Sequence, residues 1–149
     1  MCRVSFCRLY NGSTDTAVPL IGALISLAGA LIEALADTQK SKQKKKNPHK
    51  VATEGFFKLC RCPNYFGELL MWLGVFIGGL TTYRGIGQIL MAVISFIAIC
   101  IIMFNGAKRL EKRQNARYGN DPEFNHYCDT TPIIIPFVPL YHLVKKEGK

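Results

Sequence analysis

The chain has 149 residues, 49% of them hydrophobic, and carries 19 Lys and Arg against 10 Asp and Glu for a formal net charge of +9. A positive mean hydropathy of +0.14 beside so much charge is not the balance of an ordinary soluble domain. The apolar residues stand in blocks with almost no polar face, which excludes a soluble helix bundle and points to helices in a membrane.

In chain order, Met1 to Thr16 has no periodicity and reads as an irregular segment in which Cys2 and Cys7, if outside the cell, can pair. Ala17 to Ala36 is long enough to cross the roughly 30 Å hydrocarbon core and holds one ionisable residue, Glu33. It is not a signal peptide, because the residues before it are too many and too polar and a lysine run stands where a cleavage site should be. Gly22, Ser26 and Gly29 share one helical face with Glu33, Asp37, Lys40 and Lys44, so a close-packing surface continues into a charged one. The alternative is that Glu33, Asp37 and Lys40 form a surface ion-pair ladder. Lys40 to Lys50 reads as a linker ended by Asn47-Pro48. Between spans such a run is a positive-inside anchor on anionic lipid, and without interleaved aromatics it does not indicate nucleic acid as a partner.

The stretch Gly55 to Leu80 contains Arg61-Cys62-Pro63-Asn64-Tyr65-Phe66-Gly67-Glu68, with a proline suited to the first turn of a helix. The unpaired N–H groups of that turn and Arg61 would attract an anion such as a phosphate. Glu68 lies one turn beyond Asn64, and a carboxylate in apolar surroundings is either a functional group or one solvated at the headgroup level. Phe66 to Tyr83 is a second candidate span and Ile86 to Phe104 an uncharged third. Eight Lys and Arg fall in Gln39 to Cys62 and eight in Asn105 to Lys149, leaving Arg3, Arg8 and Arg84 elsewhere. That distribution predicts an outside N-terminus and a cytosolic C-terminus.

Lys108 to Tyr118 places Arg109, Arg113 and Arg117 four apart as a basic helical stripe that either holds phosphates or lies on anionic headgroups. Pro132 to Tyr141 is apolar but has three prolines, which predicts an interfacial or cavity-lining extended segment instead of a spanning helix. Residues 144–149 form a basic tail. The six cysteines lack the repeated Cys-x-x-Cys spacing of a zinc site, so no metal is expected. The expected fold is all-α, a multi-pass transmembrane bundle of about three spans with a cytosolic basic C-terminal helix and the Pro-rich interfacial segment.

Ala36-Asp37-Thr38-Gln39-Lys40, CRCPNYFGELLMWLG from Cys60 to Gly74, LEKRQNARYG from Leu110 to Gly119 and TPIIIPF from Thr131 to Phe137 occur in an order and spacing that resemble the C-terminal domain of the steroid 5-alpha-reductase family. The resemblance covers roughly residues 17–143, a single membrane-embedded domain. It implies a multi-pass reductase of the endoplasmic reticulum or a bacterial inner membrane, enclosing NADPH from the cytosolic side. Family cofactor-contacting positions match Asp37, Asn64 and Glu68, with Arg61 and Tyr65 in the same motif, while Arg113, Arg117 and Tyr118 match more loosely. The implied reaction is hydride transfer to a polarised carbon–carbon double bond followed by protonation, on a steroid, sterol or other enoyl-type lipid. RYGNDPEFNHYC, Arg117 to Cys128, is also similar to the sterol reductase branch.

Two departures stand out. Cys62 replaces the histidine usual in an Arg-His-Pro-Asn-Tyr motif, and relatives are nearly twice as long, their N-terminal helices carrying the substrate-facing acid and proton donor. The resemblance therefore implies the cofactor half of such an enzyme, its other half missing or supplied by a second polypeptide, and leaves the catalytic residues unassigned. The rival readings are an S-adenosylmethionine-dependent membrane methyltransferase of the isoprenylcysteine carboxyl methyltransferase kind, and a truncated, non-catalytic helix bundle. The former resembles Arg61 to Gly67 but has a pair of acidic residues in its C-terminal helix where this chain has only Glu111.

Overall fold

The structure, a computed structural model, describes residue 12 and residues 15–144; Cys2, Cys7 and most of the basic tail lie outside the described residues. Four α-helices follow one another, α1 (Ala17–Lys46), α2 (Pro63–Gly79), α3 (Ile86–Tyr118) and α4 (Pro122–Thr130), with a 3-10 helix at Gly55–Lys58 and no strand among the described residues.

Several boundaries differ from the sequence reading. Helix α1 does not end at the lysine run but continues to Lys46, because Lys and Gln are good helix formers and Lys44, Lys45 and Lys46 complement the negative end of the helix dipole. Only Asn47-Pro48 breaks it. The basic stripe is not a separate helix either: α3 runs unbroken for 33 residues, apolar to Phe104 and basic beyond. Helix α2 stops at Gly79, where Thr82 donates from both its backbone N (2.9 Å) and its Oγ1 (2.7 Å) to the Gly79 carbonyl and closes a turn. Its 17 residues measure about 26 Å. Among the described residues, α1 and α3 are the helices long and apolar enough to cross a membrane by length and composition.

The described residues form two compact units, residues up to Leu31 with Gly67–Ile102, and Ile32–Phe66 with residues from Met103 onward. In the first, α1 meets α2 through small residues. A Cβ built on Gly29 would stand 2.5 Å from Gly67 O and Met71 N, so no larger residue fits without parting the helices. Ser26 Oγ donates to Met71 O at 2.9 Å, and Phe76 stacks on Phe96 at 5.3 Å. The large apolar side chains instead face outward, Leu20, Leu24 and Leu27 on α1 and Ile94, Ile97 and Ile101 on α3 all being more than half exposed. Small residues inside and large apolar ones outside is the arrangement of helices that meet lipid.

In the second unit the Pro-rich segment folds back on itself, Ile133 N donating to Leu140 O at 2.8 Å. Consecutive amides of Arg61 and Cys62 donate to Pro132 O and Ile133 O, each at 2.8 Å, and Ile133 and Ile134 are buried. Phe137, at a positive φ of 66°, is left 90% exposed.

Candidate functional site

Helix α1 builds the floor of a cavity in the second unit by fastening the loop that follows it. Gln43 Oε1 accepts from the amides of Thr53 (2.9 Å) and Glu54 (3.0 Å), and one turn earlier Gln39 Oε1 accepts from Phe56 N at 2.9 Å. Gly55 sits between them at a φ of +68°, where a side chain would be strained and would strike Gln39. This loop presents Val51, Ala52 and Phe57 as an apolar wall, and Tyr127 Oη holds it from α4 by donating to Phe57 O at 2.7 Å.

The cavity has a volume of about 280 Å³. Five cationic side chains line it: Lys40 and Lys44 from α1, Arg61 from the residues before α2, and Arg113 and Arg117 from α3. Asn64, Gln114 and Tyr118 add hydrogen-bonding groups, and no carboxylate is among the lining residues. Lys44 is committed within the protein, its Nζ donating to Tyr118 Oη (2.7 Å) and Lys50 O (2.6 Å) and lying 4.9 Å from the Tyr118 ring. The Arg117 guanidinium lies 5.4 Å from the same ring. Tyr118 is thereby held between two cations and against Phe124.

Arg61 is buried and paired with Glu111, Nη2 to Oε1 at 2.8 Å, with side-chain exposures of 2% and 0%. Glu111 also accepts from Leu143 N (2.8 Å) and Val144 N (3.0 Å), and its Oε1 lies 3.2 Å from His142 Nδ1. Burial alone would push the Glu111 carboxyl up, but these donors outweigh it and hold the group below the usual carboxylate range. A charge-balanced pair results. Arg61 Nε, by contrast, is buried without a hydrogen-bond partner, the one such side-chain atom among the described residues. Cys62, where the resembling family has histidine, is buried and its thiol is pushed up to about 12 by desolvation, so it neither ionises nor donates strongly near neutrality.

Of the residues singled out from sequence, Arg61, Asn64, Arg113, Arg117 and Tyr118 come together around the cavity. Asp37 is exposed on α1, Tyr65 stands against Gly106, and Glu68 lies in the other unit, half-buried; none of the three lines it. Lys40 and Lys44 were on the charged face of α1 in the sequence but not assigned to the site, and Gln114 carried no signal beyond its place beside Arg113.

A family model described as "Protein of unknown function (DUF1295)" matches residues 7–131. Steroid 5-alpha-reductase DET2 of Arabidopsis thaliana is 30% identical over 122 residues, 80% of this chain and 41% of that protein. Steroid 5-alpha-reductase DET2 of Gossypium hirsutum is 39% identical over 57 residues, 37% of this chain and 22% of that protein. The match thus covers less than half the length of either relative. No solved structure matches it.

Proposed function

Because the chain belongs to the DUF1295 family, which is steroid 5-alpha-reductase-like, we propose that it is the cofactor-binding part of a membrane reductase that uses NADPH to reduce a carbon–carbon double bond of a steroid, sterol or other enoyl-type lipid. The observation that carries the reading is the cavity's lining: four cations besides the charge-balanced Arg61, no lining carboxylate and a buried Arg61 Nε lacking a partner call for a multiply charged anion. The phosphates of NADPH fit that requirement. A volume of about 280 Å³ lies at or below the range for whole ligands, so the cavity takes a phosphate-bearing portion of the dinucleotide and not all of it.

Arg113 and Arg117, one helical turn apart, hold a phosphate bidentately; Asn64 in the first turn of α2 and the Arg61 Nε donate to its oxygens. Lys44 orients Tyr118 beside them. When bound, NADPH supplies the hydride, and the protein's share is to hold and orient it. In this reading the chain lies in a membrane by three spans, α1, α3 and the shorter α2, whose 17 residues stand at the lower limit for crossing, with the N-terminus outside and the cavity on the cytosolic side. The clustering of basic residues in Gln39 to Cys62 and Asn105 to Lys149 supports that orientation, and the exposed Pro-rich segment around Phe137 lies at the membrane interface.

The test is cofactor discrimination. Replacing Arg113 and Arg117 together with Gln is expected to weaken NADPH binding to the purified chain more than NADH binding, because only NADPH carries the 2′-phosphate. Equal weakening of the two would leave the stripe without a role in discrimination.

A further inference from the structure

Arg61 lines the cavity, yet most of its donors are engaged away from any ligand. Nη2 donates to Glu111 Oε1 and to the Tyr141 carbonyl, and Nη1 donates to Cys128 Sγ at 2.9 Å. A guanidinium is a rigid plane, so fixing both terminal nitrogens fixes the direction of Nε, the one nitrogen without a partner. Glu111 comes from α3 and Cys128 from α4, while one short, irregular segment both contacts Arg61 and holds Glu111. Tyr141 gives its carbonyl, while Leu143 and Val144 give their amides to Glu111 Oε2. His142 bridges, Nδ1 at 3.2 Å from Glu111 Oε1 and Nε2 at 2.9 Å from Asp129 Oδ1.

This segment has no regular structure, and its apolar side chains, Leu143 and Val144, are only half-buried. Apart from His142 Nε2 to Asp129, the hydrogen bonds described for it go to the Arg61–Glu111 pair. We propose that Tyr141–Val144 is a strap that acts through Glu111 to set the Arg61 guanidinium for anion binding in the cavity, which makes His142 a positioning residue for that site. The proposal rests on the cavity being an anion site. It assigns to the C-terminal segment control over the affinity of that site without contact between the segment and the anion.

The experiment measures binding of NADPH and, separately, of inorganic pyrophosphate to the purified full chain in detergent, for wild type, His142→Ala and His142→Asn. The His142 side chain is 29% exposed, which makes it the mildest place to loosen the strap. His142→Ala is expected to weaken both probes about three- to tenfold. His142→Asn, whose amide N–H can reach Glu111 as Nδ1 does, should recover most of that loss. In an Arg61→Lys background His142→Ala should have no further effect, since the strap then has no guanidinium plane to set; if Arg61→Lys does not fold, the Asn rescue decides. Lowered thermal stability with both affinities unchanged would overturn the proposal and leave the strap purely structural. NADPH binding that is unmoved by His142→Ala would sink the strap but keep the cofactor reading. Pyrophosphate binding that responds to His142 in a chain that ignores NADPH would do the reverse, and binding of neither probe by wild type would overturn both.

Discussion

Replacing Glu111 with Ala should damage this protein more than any other single loss of charge among the described ion pairs. The carboxylate is fully buried and accepts from Arg61, Leu143 and Val144, with His142 beside it. Removing it strands a guanidinium that is itself 2% exposed, and breaking a buried pair in this way costs about 3–5 kcal/mol. The two amides lose their acceptors as well, but in one connected network these losses do not add. For a chain of this size each kcal/mol is worth roughly 2–4 °C, so the thermal midpoint should fall by about 6–20 °C. The comparison is Glu123→Ala, which removes the partner of Lys50 in a pair with exposures of 60% and 76%, screened by solvent, and should leave the midpoint nearly unchanged. Both variants are measured by circular dichroism in the same detergent. A midpoint for Glu111→Ala within about 2 °C of the Glu123→Ala value would refute the claim that the buried pair organises this unit.

Three further outcomes follow from the same structure. The Glu111 carboxyl is held below its ordinary value of 4.5, so its contribution is complete above that pH and is lost as the pH falls through the folded-state value; wild type should therefore lose stability below about pH 4.5 more steeply than Glu111→Gln. Gly29→Leu should force α1 from α2 and lower the unfolding midpoint by an amount equivalent to about 1–3 kcal/mol or more, whereas Gly87→Leu, with open space around its Cβ, should not, and equal effects would mean the small-residue seam is unimportant. With the native cysteines replaced, a single cysteine at position 45 should resist an impermeant thiol reagent applied to intact cells, and labelling from outside would reverse the orientation proposed from the basic residues.

Helices α1 to α3 were legible in the sequence because apolar blocks, a proline at the first turn of α2 and Asn47-Pro48 are local signals, whereas the nine-residue, polar α4 was not read as a helix. The lysine run misled, since charge marks the membrane boundary but does not end a helix, and Lys40–Lys46 continue α1 by propensity, by complementing the helix dipole and through the bonds of Gln43 and Lys44. Arg61, Asn64, Arg113, Arg117 and Tyr118 were identifiable by motif and by helical spacing. The role of Lys44 was not, because its link to Tyr118 joins residues 74 apart in sequence. Glu111 was the least readable: one acid in a run of Lys and Arg looks like a solvated helix face, and only the return of Tyr141–Val144 buries it against Arg61.

The central claim, that the cationic cavity is a dinucleotide-phosphate site, is tested most directly by isothermal titration of the purified wild-type chain in detergent with NADPH and, in parallel, with S-adenosylmethionine, which carries no phosphate. Saturable NADPH binding that weakens as salt is raised is expected, as for phosphate held by lysine and arginine, with no binding of S-adenosylmethionine. Binding of S-adenosylmethionine with no heat from NADPH would contradict it.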